Sequence, residues 1–216
     1  MPPTPRSERR VPVARKRDII EVAAQLFARH GYHGTSVRDL SEALGLGKAS
    51  LYHHIESKDE LLFWVHEQFI NPLLEETERR LSAEMDPRDA LRTLSCILMR
   101  VIADYRPYVT VFLNEWRALS PERAAAIREK RKRFEGYIRA ALQRGVEQGL
   151  FRPLDVSVTC LGFLGMHNYA YQWLNPEGRL SPEEIAATFS SIFLRGIAQG
   201  DNQSQAPETS ASPQAG

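Results

Sequence analysis

Between Lys48 and His54 the chain carries a lysine, an alanine, a serine, a tyrosine and two histidines around one leucine. At about 100° per residue, Leu51 and Ile55 fall on one side of a short helix. Ala49 and His53 point nearly opposite, with Tyr52 and Glu56 beside them and Ser50 on the flank. A face of small, hydroxyl and imidazole groups does little for a core but suits close approach to base edges and phosphates. Other chemistry is missing. His30, His33, His53 and His54 cluster in sequence without metal-ligand spacing to cysteines or carboxylates. No nucleophile elbow, phosphate loop or dinucleotide fingerprint occurs. The pattern is that of a binding protein and not an enzyme, with no metal and no cofactor expected.

The elements that must hold this face are legible on either side of it. Ser36 caps a helix whose third residue is Asp39, a close relative of the capping box. Val37, Leu40 and Leu44 then mark one buried face, and Gly45 ends the helix because glycine takes a left-handed backbone without cost. Gly47 precedes the short helix Lys48–His54, and Ser57 opens the next with Glu60 at the box position. Helix, glycine turn and short helix make a helix-turn-helix, whose second helix enters the major groove. On that reading Ala49, Ser50 and His53 face bases, Lys48 and Lys58 neutralise phosphates, and Thr35, Ser36, Tyr52 and His54 donate hydrogen bonds to phosphates.

Charge is distributed to match. The net charge is +1, yet residues 1–55 carry nine Lys/Arg against five Asp/Glu, 9 − 5 = +4, which leaves about −3 for the rest. A basic end on a near-neutral protein is a local nucleic-acid patch. Cys96 and Cys160 sit in apolar stretches and make no disulfide framework, which fits a reducing cytoplasm. No signal peptide or membrane-spanning segment is recognisable, so a soluble cytoplasmic protein without a membrane partner is expected.

Helical periodicity and its breaks divide the chain into a basic arm expected to be disordered (1–14), a helix-turn-helix domain (15–57), a larger helical domain (58–199) and an unpatterned tail (200–216). The first helix carries Ile19, Ala23, Leu26 and Phe27 inward and stops at Gly31; the fourth should kink at Pro72; the sixth should run from Pro107 to Leu119; the eighth should run from Asp155 to Trp173. Ser181-Pro182-Glu183-Glu184 starts the last helix with a capping box and proline at the first position. No strand alternation occurs, and the expected fold is all-α with about nine helices.

Gly45-Leu46, then Leu51-Tyr52, His54, Ser57-Lys58 and Glu60-Leu61, resemble the signature of tetracycline-repressor (TetR) family regulators. The resemblance begins near Arg15 and covers about fifty consecutive residues without a gap, with Ile55 where the family usually has Phe. It implies a fourth helix that links the head to the larger domain, and a four-helix bundle between two subunits. A two-fold dimer also follows from the physics, because one short helix reads few base pairs and a second must lie about 34–36 Å away. The helices around 156–173 and 182–198 are apolar on more than one side and are the expected homodimer interface.

The aromatics of the larger domain, interspersed with a few polar groups, fit a small-molecule pocket. Phe69, Leu98, Phe112, Trp116, Arg131, Phe134, His167 and Tyr171 are the candidate lining residues. Phe112 to Arg117, Gly145 to Asp155 and Gly165 to Gly178 look like a TetR subgroup that controls fatty-acid, phenylacetate and steroid-ring catabolism, which implies an acyl-coenzyme A effector. Gln172 and Asn175 stand where several relatives have Arg, so Arg131 or Arg133 would have to meet the coenzyme phosphates. The rival readings are a drug-efflux repressor, whose lipophilic cations need buried carboxylates, and a helical interaction protein that does not bind DNA. Glu115 beside Arg117 is compatible with either pocket.

Overall fold

The computed structural model describes residues 16–175 and 177–200; the expected arm, the tail after Gly200 and Pro176 of the late loop lie outside them. The helices are α1 Lys16–His30, α2 Val37–Leu44, α3 Lys48–Tyr52, α4 Lys58–Arg80, α5 Pro87–Asp104, α6 Arg106–Asn114, α7 Pro121–Glu147, α8 Val156–Asn168, α9 Ala170–Trp173 and α10 Pro182–Ile197. The fold is all-α as expected. Strand-like pairing among the described residues is confined to one isolated bridge, Phe151 with Ala198.

Local chemistry sets most boundaries. Ser36 Oγ accepts the Asp39 amide at 3.1 Å while the Asp39 carboxylate takes the Ser36 amide at 2.7 Å. Ser181 and Glu184 repeat this reciprocal box at 3.2 and 2.8 Å. Gly45 ends α2 at φ 66°, a conformation that costs a residue with a Cβ about 1 kcal/mol or more. At α4 the box slips: Ser57 Oγ accepts from Glu60, but the Glu60 carboxylate caps the Glu56 amide at 2.8 Å.

Three expectations on helix extent are corrected. The sixth helix stops at Asn114 and tightens into a 3-10 turn over Trp116–Ala118, with the Ala118 amide on Glu115 O at 3.0 Å. The eighth is two segments, α8 and α9, because the chain tightens at Tyr169, where the Gln172 amide bonds three residues back at 3.1 Å; taken as one element they restore the count of nine. The short helix of the head is α-helical only to Tyr52, with the His53 and His54 amides bonded back to Ser50 and Leu51. Pro72 lies inside α4, which is assigned as one continuous helix.

One buried apolar cluster extends from Ile19 to Ile197, and a smaller one gathers Met99, Ala170, Leu174, Ile185 and Ala186. Helix α1 packs on both α4 and α6. That double contact buries Ile20 and Ala24 beside the stripe of Ile19, Ala23 and Phe27, while Leu26 is only half-buried. The core of the head is therefore continuous with that of the larger domain.

Helices α4 and α7 are joined by Arg123–Asp59, Lys130–Glu67 at 2.5 Å and Arg133–Glu78 at 2.7 Å. At the end of α7, Gly145 packs face-on against Phe151: a Cβ there would lie 2.1 Å from two ring carbons. Gly145→Ala must displace a buried ring, and overpacking of this kind costs about 1–3 kcal/mol. The expected result is a lower urea midpoint by circular dichroism; an unchanged midpoint would show that Phe151 has room to move.

Candidate nucleic-acid interface and ligand cavity

The head is built so that α3 faces outward. Leu51 and Ile55 are buried, while Lys48, Ala49, Tyr52 and His53 are exposed and Ser50 and His54 half-buried. Tyr52 is 45 % accessible, an unusual exposure for an aromatic in a packed head. Ser36 is exposed at the cap of α2, and its hydroxyl, which accepts from Asp39, keeps its own proton to donate.

Two residues assigned to phosphate contact are turned inward. Thr35 is 1 % accessible, and its hydroxyl lies 2.9 Å from Gly31 O and 3.3 Å from Leu26 O. It closes the α1–α2 turn and has no proton left for a ligand. Lys58 Nζ donates to Tyr32 O and sits 4.1 Å from the centre of the Tyr32 ring. Partial burial pushes its pKa below the ordinary lysine value. The Lys58 fastening needs the fold, since Tyr32 is 26 residues away, whereas Thr35 is held within its own turn, four residues from Gly31.

The residues just after α3 are tied to the body. Asp59 accepts the Ser120 amide at 2.9 Å and an Arg123 guanidinium N–H. Burial alone would raise the Asp59 pKa, but these bonds and the neighbouring guanidinium outweigh it and hold the carboxyl below its usual value. Arg123 also reaches Ser57 Oγ at 3.4 Å. Glu115, at the end of α6, stands against Gly31, where an added Cβ would meet its Oε1 at 3.2 Å. Helix α6 thus touches the head directly, and Glu115 belongs to that contact.

In the body, Phe69, Leu98, Phe112, Arg131 and Phe134 come together around a cavity of about 40 Å³, with Leu73, Leu164 and Asn168. Ile70 and Glu135 also line it; Ile70 follows from the α4 period, whereas nothing in sequence marks Glu135. The Arg131 guanidinium lies 5.2 Å from the centre of the Phe112 ring. Its burial depresses its pKa, opposed by Glu135. Arg131 also lines an adjoining groove of about 320 Å³ with Trp116, Leu119, Ile127, Arg128 and Lys132. Trp116 therefore belongs to the groove and not to the inner cavity, with Arg117 5.2 Å over its ring.

The basic run of α7 is sorted by helical angle. Arg128, Arg131 and Lys132 share the groove face, whereas Lys130 and Arg133 turn to the acidic residues of α4. His167 and Tyr171 are corrections. His167 is fully buried between α5, α8 and α10: Nδ1 bonds Phe163 O at 2.8 Å and Nε2 lies 2.6 Å from Ser95 Oγ. Tyr171 is half-buried, with Asn114 and Gln172 on its hydroxyl. Neither lines the cavity; on α8 and α9 an apolar stretch alone does not say which side faces inward.

A third surface is apolar. On α8, Val158 and Leu161 are 65 % and 58 % accessible, and on α10 Ile192 is 61 % accessible. Gly162, Gly165 and Gly196 beside them face open space. Exposed aliphatics on neighbouring helices are the mark of an interaction face. No described helix is long and apolar enough to cross a membrane, and no group of three or more His, Cys, Asp or Glu among the described residues is placed to hold a metal.

Comparison with known proteins agrees with this layout. Residues 19–65 match the family described as bacterial regulatory proteins, tetR family, and residues 84–197 match the tetracyclin repressor-like C-terminal domain. The HTH-type transcriptional repressor KstR2 of Rhodococcus jostii is 28 % identical over 206 residues, covering 94 % of this chain and 100 % of the relative. The crystal structure of the TetR-family regulator PfmR from Thermus thermophilus aligns with a TM-score of 0.75 at 39 % identity, over 82 % of this chain and 97 % of that one. The structure of AibR in complex with isovaleryl coenzyme A and operator DNA aligns with a TM-score of 0.75 at 32 % identity, over 83 % and 97 % of the two chains.

Proposed function

The chain belongs to the tetR family of bacterial regulatory proteins, and from that premise we propose that it is a homodimeric transcriptional repressor released from its operator by an acyl-coenzyme A thioester. The observation that carries the effector class is Arg131, shared by an aromatic-lined cavity and a groove that also holds Arg128 and Lys132. An apolar acyl group next to phosphates on a long arm needs that pairing, since guanidinium groups match phosphate geometry. AibR, at 32 % identity, binds isovaleryl coenzyme A and supports the same class. The lipophilic-cation reading is disfavoured, because Glu115 abuts Gly31 of the head and Glu135, the carboxylate that lines both cavity and groove, is outnumbered in the groove by Arg128, Arg131 and Lys132.

The mechanism follows from the elements. Ala49, Ser50 and His53 face base edges; Lys48, Ser36, Tyr52 and His54 meet phosphates; the exposed stripes of α8 and α10 pair two subunits. A cavity of about 40 Å³ holds little more than one water, so an acyl group enters by moving its walls. One wall, Phe112, lies on α6, three residues before the Glu115 that abuts the head. An effector that moves α6 therefore moves α1 and, through α4, the recognition helix. Complete switching needs about 10⁴-fold preference for the released state.

Two measurements test this. An electrophoretic shift with the DNA upstream of the protein's own gene should be reversed by acyl-coenzyme A thioesters and not by lipophilic cations; reversal by cations alone would reverse the assignment. Lys48→Ala should weaken operator binding, with the salt dependence shallower by about 0.9 log units for each phosphate left unneutralised, about twice that for a dimer. A variant with the parental salt slope would remove Lys48 from the interface.

A further inference from the structure

The two fully buried histidines, His66 and His167, make the same bond to their own helix: each Nδ1 lies against the carbonyl four residues back, Leu62 O at 2.9 Å and Phe163 O at 2.8 Å. A carbonyl oxygen only accepts, so Nδ1 carries the proton in both and Nε2 presents a lone pair. That of His167 has the Ser95 hydroxyl at 2.6 Å, nearer than the Ala186 carbonyl that the same hydroxyl reaches at 3.1 Å. That of His66 is met by no group among the described residues. Buried polar atoms are ordinarily paired, so an unpaired acceptor on a ligand-cavity helix marks a place where something else donates.

The position identifies the donor's source. His66, Phe69, Ile70 and Leu73 share one face of α4, and the last three line the cavity. The His66 ring stands 5.6 Å from the Phe112 ring, which is 4.8 Å from Phe69 and 5.2 Å from Arg131. Phe112 is thus the wall shared by the cavity and the histidine. Burial, reinforced by the Arg131 charge and opposed by the Leu62 bond, pushes the His66 pKa down to about 4, so the ring is neutral at pH 7.

Resting on the acyl-thioester reading, we infer that His66 Nε2 is an acceptor subsite for a hydroxyl on the buried part of the effector, reached when Phe112 swings aside. The effector class narrows to hydroxylated acyl thioesters. A saturated acyl chain fills the same cavity and leaves the acceptor unpaired.

The test is titration calorimetry of the full chain with octanoyl-, 3-hydroxyoctanoyl- and 8-hydroxyoctanoyl-coenzyme A. At least one hydroxylated probe should bind about tenfold tighter than octanoyl-coenzyme A, the difference one buried hydrogen bond makes. His66→Phe should erase that preference while still binding octanoyl-coenzyme A, and His66→Gln, which keeps an acceptor, should retain part of it. In the wild type, the Nε2 nitrogen resonance should shift with the preferred hydroxylated probe and not with octanoyl-coenzyme A, a readout that requires no variant to fold. If all three probes bind alike, or His66→Phe keeps the preference, the inference is wrong and the thioester reading stands. If none binds, both fall.

Discussion

Leu161→Asp is expected to convert the protein to a monomer and to weaken operator binding by about 10²–10⁴-fold, the advantage that tethering two half-site readers confers. Leu161 lies with Val158 and Gly162 on the outward side of α8, and Ile192 continues the apolar surface on α10. Pairing two such faces buries aliphatic area from both copies at about 25 cal/mol per Å². A carboxylate there must lose its hydration without a partner, which costs more than the leucine contributes. The same substitution meets little of its own subunit, so the helical content and the thermal transition of the folded monomer should survive. Sedimentation velocity at micromolar concentration and an electrophoretic shift decide the matter. A Leu161→Asp protein that remains a dimer would move the interface elsewhere.

Acid should destabilise the protein well above the carboxylate range. His66 and His167 are both fully buried, and burial pushes each pKa from 6.5 to about 4, against the opposing pull of the bond each makes to its own helix. The unfolded chain takes up these protons near pH 6.5 and the folded chain refuses them until about pH 4. The unfolded state therefore binds more protons in that window, and stability falls as pH falls. Each ring contributes about 3 kcal/mol across the full window. Between pH 7 and pH 5 the pair should account for about 4 kcal/mol, a large share of the 5–15 kcal/mol typical of a folded domain. Urea midpoints at the two pH values measure it, and His167→Gln should remove about half of the pH dependence. A midpoint that stays level between pH 7 and pH 5 would show that both rings are reached by water, and half the expected change that one is.

These expectations differ in where they come from. The need for a further neighbour on α8 and α10 was legible as helices apolar on more than one side, because a periodic pattern that fills more than one stripe needs more than one neighbour. Which side of α8 turns outward was not: Cys160, Phe163 and His167 face the core, and Val158 and Leu161 do not. The acid sensitivity depends on His66 and His167, and sequence alone assigned His167 to a ligand and left His66 unremarked. Burial of an imidazole is set by what packs over it, and for His167 that is Ser95 of α5 and Phe189 of α10.

What the amino-acid sequence determined by itself is the set of features closed within a few residues. Ser36 with Asp39, Ser181 with Glu184, the left-handed Gly45 and the inward pair Leu51 and Ile55 are each decided by groups within one or two helical turns. Those features carry the helix-turn-helix and therefore the family. Tertiary structure alone decided which of several chemically equal side chains remain available. It spent Lys58 on Tyr32 and Lys130 on Glu67, while it left Lys48 and Arg128 exposed and put Arg131 at the cavity. The physical reason is reach: a cap or turn is complete within a few residues, whereas a hydroxyl or ammonium finds its partner across helices whose packing no local pattern specifies.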